Sequence, residues 1–196
     1  MCSDSESDAD DQGRTPTPKA FRSENLEFCS YNSEEDDEFF HYIQTSSSSI
    51  INWCASTPRP MDLNFTSRVA KHLQRRSHLA GEYRPTGTLF LKSSHRDMVH
   101  HRCSKLEVSI RKEHQHYEAE AINWALNWAF NRANIHRVEV NIPSWNLRMG
   151  KLCDEVGFHT EGERKECYFK DGEWWNEVNM SMLKKDWKER QAQTKK

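Results

Sequence analysis

From Leu106 to Leu183 the chain sets out strand, helix, strand, helix and hairpin in that order, and few folds accept that order. Leu106, Val108 and Ile110 alternate with Glu107, Ser109 and Arg111, the period of a half-buried strand. A helix is predicted from Tyr117 to Ala133, with Ile122, Leu126, Ala129 and Ala133 at helical spacing and Ala125 and Phe130 widening the stripe. Arg137 to Ile142 alternates again, and Asn146 to Val156 reads as a second helix stopped by Gly157. Phe158 to Phe169 and Glu173 to Leu183 flank Lys170-Asp171-Gly172, a hairpin signal. A strand–helix–strand crossover places its two strands parallel in one sheet, and the hairpin adds antiparallel ones. The fold class expected is α/β (α+β): a mixed sheet with helices on its faces.

Upstream, Leu26 to Tyr31 and Thr86 to Leu91 read as strands, and Glu34 to Gln44 and Leu63 to Leu73 as helices. Residues 1–21 are Ser-, Asp-, Glu-, Thr- and Pro-rich with no apolar period, an acidic disordered tail. Residues 188–196 read as a polar, basic tail that frays, which leaves one domain over 22–187. Aliphatic residues are thin on the ground, so seven Trp, nine Phe and five Tyr must supply much of the core. A net charge of −2 lacks the strong imbalance of a disordered chain.

Composition also sets aside several function classes. No apolar run is long enough for a bilayer span, and the acidic start is unlike a secretory signal. The six cysteines are scattered without a CxxC pair, so the expectation is reduced thiols in the cytoplasm, with the nucleus also open. A pI near 6.6 offers no electrostatic argument for nucleic acid. Oligomeric state is not legible in the sequence.

The C-terminal half carries a family resemblance. Leu106 to Arg111, Glu120-Ala121-Ile122, Trp128-Ala129-Phe130 and Asn134 to Val138 resemble the GNAT superfamily of N-acetyltransferases. Trp145-Asn146, Lys151-Leu152, Gly157-Phe158, Glu161-Gly162 and Arg164 are similar to that family's Asn-helix-GlyPhe-x-x-GluGly-x-x-Arg run. Asp171-Gly172-Glu173-Trp174-Trp175, Met182-Leu183 and Trp187 complete the pattern, which resembles the ribosomal-protein N-terminal acetyltransferase branch.

The resemblance implies a mostly antiparallel, twisted sheet with helices on both faces and a splay between its two central parallel strands. Here those are Leu106–Arg111 and Arg137–Ile142. It implies acetyl-CoA as cosubstrate, its pantetheine arm lying along Val108, Ser109 and Ile110 like an added strand. The pyrophosphate is expected on the loop Arg111, Gln115, His116, Tyr117, Glu118 and Ala119, at a helix N-terminus. The implied reaction is direct attack of a primary amine, from a protein N-terminus or a small molecule, on the thioester. The N–H of Val108 or a neighbour polarises the carbonyl, and no covalent enzyme intermediate forms. Asn146 is implied near the cofactor arm, and N-capping its helix is a compatible role. Glu107 is the candidate general base, set against the plainer reading of a solvent-facing carboxylate.

The sequence departs from the family pattern at two places. The pyrophosphate loop holds no glycine, nor does any position from Thr88 to Met149. Glycine there lets backbone approach phosphate closely, and Glu118 adds a carboxylate that opposes the anion. Either Arg111, Lys112, His114 and His116 supply cationic donors in place of amides, or the chain is a GNAT-fold pseudoenzyme acting as a binding module. Secondly, Cys153 stands where many family members place a Tyr acid. It is a candidate proton donor, or simply a small buried residue.

Other clusters have plain alternatives. His100, His101, Cys103, His114 and His116 match no compact zinc module. Lys71, His72, Arg75, Arg76 and His78 form a basic patch that also reads as a solvated helix end. Trp124, Trp128 and Trp145 suit core packing better than base stacking. Of Trp174 and Trp175, one should pack inward and one should rim the acceptor cleft. Glu161 and Arg164 suit ion pairing better than acceptor contact.

Overall fold

A computed structural model describes residues 19–29, 38–39, 76–79, 85–93 and 100–194. Seven strands form one sheet: β1 Leu26–Cys29, β2 Arg76–Leu79, β3 Pro85–Ser93, β4 Cys103–Ile110, β5 Arg137–Pro143, β6 His159–Lys170 and β7 Glu173–Leu183. Their order across the sheet is β1-β2-β3-β4-β5-β7-β6. Every pairing is antiparallel except β4 with β5, the pair that the crossover predicts. Glu38 and Phe39 are helical, inside the helix expected over 34–44; the rest of that helix and the one over 63–73 lie outside the described residues.

The crossover is α1, Glu118–Asn127, continued by a π-helical turn over Trp128–Arg132. The wider turn shows in the Ala133 N–H donating to Trp128 O at 3.0 Å. The helix begins differently from the reading of its sequence, because Lys112–Tyr117 wind into a 3-10 helix that runs directly into it. Ile122, Ala125, Leu126, Ala129 and Phe130 are all buried, as the stripe requires. Their neighbours in the core include Leu106 and Ile110 of β4, Val138 and Ile142 of β5, and Met180 and Met182 of β7. Phe28 of β1 stacks on Trp124, centroids 3.7 Å apart, which ties the sheet's far edge to α1.

The second helix, α2, spans Leu147–Val156. Asn146 Oδ1 accepts the Met149 N–H at 3.2 Å as its N-cap. Gly157, at φ 107°, ends it, and the Gly157 and Phe158 N–H groups return to Cys153 O. The hairpin turn has Asp171 at φ 52° and Gly172 at φ 87°, the two left-handed residues of a type I′ turn. Where the sequence suggests a fraying tail from Lys188, a third helix, α3, runs Lys184–Thr194. Trp187 holds it, buried with its ring 5.6 Å from Phe130, and Arg190 donates to Glu155 O near the end of α2. No described helix is long and apolar enough to cross a membrane.

Candidate active site

The parallel ladder between β4 and β5 is short. Cys103, Ser104 and Lys105 pair with Arg137, Val138 and Glu139, and beyond these the strands part. Both strands continue, β4 to Ile110 and β5 to Pro143, each still paired to its outer neighbour. The hydrogen-bond phase then decides what faces the gap. The Arg111 N–H donates to Thr86 O at 2.8 Å, so residues 111, 109 and 107 direct their main-chain groups to β3. Leu106, Val108 and Ile110 therefore turn theirs toward β5. On β5, the Ser144 N–H donates to Asn176 O at 2.9 Å, which by the same alternation turns Asn141 and Pro143 toward the gap. Proline, lacking an N–H, is tolerated where a strand has no partner to receive one.

A slot opens in this gap. Its walls include Leu106, Glu107, Val108, Asn141, Asn146 and Tyr168, and Met149 and Cys153 of α2 also line it. The expected site residues Glu107, Val108, Asn146 and Cys153 thus meet in one place. Ser109 and Ile110 lie just beyond on β4, buried and outside the slot lining. Glu107 is not a solvent-facing carboxylate: Lys92 Nζ stands 2.5 Å from its Oε2, and its side chain is 16% exposed. Cys153 has no exposed surface, and burial pushes its thiol up to about 12, with the carboxylates of Asp154 and Glu118 adding to the effect. A thiol so hard to ionise is a poor acid, which favours the plain packing role.

Beyond Ile110, outside the slot lining, lies the segment Arg111 to Ala119. Glu118 does not oppose an anion there. It is wholly buried, and Arg148 of α2 grips its two carboxylate oxygens at 2.5 and 2.9 Å. The same bond raises the Arg148 pKa. The Glu118 N–H is also spoken for, donating to Gln115 O in the 3-10 turn. The first amide of α1 is therefore engaged by the preceding turn. Arg111 pairs with Glu113 at 2.7 Å. His116 is exposed with its ring 4.0 Å from Tyr117, while Gln115, Tyr117 and Ala119 are half-buried. Along the splayed strands the main-chain edges of Val108 and Asn141 suit an extended, amide-bearing ligand. Beyond Ile110 the nitrogen-bearing side chains on offer include Arg111, Lys112, His114 and His116.

On the strand face that carries Glu139 and Asn141, charges pair among themselves. Arg137 donates to Glu139 at 2.7 Å and holds both oxygens of Glu161. That guanidinium, with the Ser181 hydroxyl, holds the Glu161 carboxyl down at about 2. Arg164 stands 3.4 Å from Glu177. Both residues are thus in ion pairs, with partners that the sequence did not name. Trp124 is core, Trp175 is half-buried with its ring edge-on to Trp145, and Trp174 is 61% exposed. The patch at 71–78 falls outside the residues whose side chains are described. Among the described residues no group of His, Cys, Asp and Glu side chains converges as a metal site. Asn141 and Tyr168, both on the slot wall, are residues that sequence reasoning missed, and no motif marks either.

Comparison with known proteins agrees on the fold. No protein-family model matches the chain. It is 30% identical over 71 residues to an uncharacterized N-acetyltransferase, YnaD, of Bacillus subtilis, covering 36% of this chain and 42% of that protein. It is 32% identical over 68 residues to the ribosomal protein uS5-alanine N-acetyltransferase of Escherichia coli, covering 35% of each. It is 29% identical over 85 residues to spermidine N(1)-acetyltransferase of Vibrio cholerae, covering 42% of this chain and 49% of the relative. The matched part therefore spans less than half the length of each of these relatives. Among solved structures, a spermidine N-acetyltransferase from Vibrio cholerae in complex with CoA and spermine superposes with a TM-score of 0.73 at 20% identity, over 84% of this chain and 99% of that one. A GNAT-family acetyltransferase from Bacillus anthracis gives 0.69 at 19% identity, over 84% and 98%. The fold is that of the GNAT acetyltransferases.

Proposed function

We propose that this chain is an acetyl-CoA-dependent N-acetyltransferase that acetylates a primary amine by direct attack. The observation that carries the reading is the parting of β4 and β5 after three residue pairs, which leaves main-chain donors and acceptors of Val108 and Asn141 facing each other across a slot. Buried backbone groups of this kind need a partner, and an extended amide-bearing arm supplies one as a strand does. Acetyl-CoA brings to the slot an acyl group already activated as a thioester. Val108 donates its N–H to the carbonyl oxygen as negative charge develops there. Asn146 fixes the start of α2 beside the arm, Arg111 and Lys112 face the diphosphate as cations, and His114 and His116 add ring N–H donors. The curated relatives act on a ribosomal-protein alanine and on spermidine, so a protein N-terminus and a small polyamine head the acceptors to be tried. The ribosomal-protein branch and a cytoplasmic setting are part of the same proposal.

The helical, glycine-free segment over Lys112–Tyr117 favours a second reading, a GNAT-fold module that binds partners without turnover. One experiment separates the two. Millimolar acetyl-CoA on a site of micromolar Kd stabilises by about 4 kcal/mol, so the expected result is a raised Tm together with thiol release when a panel of amines is added. An unmoved Tm and no calorimetric heat retire the enzyme; a raised Tm without thiol release for any amine leaves the binding module.

A further inference from the structure

Among the described residues lining the slot, Tyr168 contributes a hydroxyl. It comes from β6 just past a bulge: Arg164 pairs with Glu177, and the next pair is Tyr168 with Trp175, so residues 165–167 are looped out against Asn176 alone. The loop is held by Glu166 at φ 49°, its N–H donating to Asn176 Oδ1 at 2.9 Å. Trp145 braces the Tyr168 ring edge-on at 5.7 Å. The hydroxyl donates to Oε2 of Glu177, a carboxylate only 5% exposed. The other oxygen of Glu177 faces Arg164 at 3.4 Å, a guanidinium that is 63% exposed.

Tyr168 thus joins two places: its hydroxyl gives its proton to Glu177, and the residue is part of the slot wall. Glu177 lies behind Tyr168, outside the slot lining, whereas Glu107 lines the slot itself and is held by the Lys92 ammonium, which has no lone pair with which to pass a proton. We propose that Tyr168 and Glu177 form the proton relay of the reaction. The inference rests on the acetyltransferase reading and adds to it. As the amine nitrogen bonds to the thioester carbon, Tyr168 Oη takes the proton that nitrogen loses, and its own proton moves to Glu177 Oε2. When the C–S bond breaks, the pair returns that proton to the departing sulfur. The products are an amide and a free thiol, and both residues end as they began. The relay needs no proton from Cys153, in keeping with the burial of that thiol.

The test uses the full chain and the amine that gives most thiol release. Tyr168→Phe and Glu177→Gln should each lower kcat about 100-fold at neutral pH, with CoA affinity by calorimetry unchanged. The deficit of Tyr168→Phe should shrink as pH rises, because hydroxide takes over the proton. Gln keeps an oxygen that accepts the Tyr168 bond, so a purely structural role is rescued by Glu177→Gln and a relay is not. A second readout needs no turnover. In protein carrying 13C-tyrosine and no ligand, the Tyr168 Cζ signal, assigned by its loss in Tyr168→Phe, should step with pH as Glu177 takes a proton, and the step should vanish in Glu177→Gln. Wild-type rates and pH profiles in both variants, or a Tyr168 signal indifferent to Glu177→Gln, overturn the relay while the acetyltransferase reading stands. A wild-type chain that neither binds CoA nor releases thiol with any amine overturns both.

Discussion

Glu118 is wholly buried, and Arg148 reaches across from α2 to both of its oxygens. Arg148→Ala strips a buried carboxylate of its counterion, which costs about 3 kcal/mol at the low end for such pairs, since the guanidinium is partly in water. Urea unfolding should show this as a lowered midpoint. Glu161 makes a prediction in pH. Its carboxyl is held at about 2 in the folded chain by Arg137 and Ser181, below the value near 4.3 of an unfolded glutamate. A depressed pKa adds stability above the unfolded value and loses it as pH falls through the folded one. Between about pH 5 and pH 2, Glu161→Gln should therefore lose stability less steeply than the wild type, measured as Tm against pH. The Asn146 cap was legible because a cap is local: it binds a backbone three residues away. The Glu118–Arg148 pair joins residues thirty apart on two helices, and no sequence period encodes such a contact.

The elements follow the same division. The β6–β7 hairpin was legible because Asp171-Gly172 suits the positive φ that both turn positions require. The bulge at 165–167, which aims Tyr168, has no such signature, since non-glycine Glu166 occupies its left-handed position. Lys112 to Tyr117 carries no apolar period, so its 3-10 winding was invisible, and the helix start read from sequence sat at the α1 boundary alone. The third helix was missed beyond Trp187 because its outer residues are polar and its anchor is a single tryptophan. Gly87 shows an element depending on one hydrogen atom. A Cβ there would stand 2.4 Å from Ser109 O and 2.8 Å from Ile110 Cα. Gly87→Ala must push β3 and the end of β4 apart, at a cost of about 1–3 kcal/mol. We expect a lowered Tm together with weaker CoA binding, because the displaced strand is the one that borders the slot.

At the scale of the molecule, the crossover order predicted one parallel pair in a mixed sheet and the family resemblance implied that the rest is mostly antiparallel, and the sheet has that arrangement. What sequence could not specify is how far the pair stays zipped, because that depends on twist, on Pro143 and on the helices that pack against the sheet. Three paired residues join four strands on one side to three on the other. Such a seam has a kinetic signature that can be followed one amide at a time. In deuterated water the amides of Glu107 and Ser109, locked onto β3, should keep their protons far longer than that of Val108 between them. The comb of slow and fast sites should even out when coenzyme A is added, as the exposed tooth gains a bond of its own. If Val108 is as protected as its neighbours without ligand, the two plates of the sheet are closed where they were drawn open.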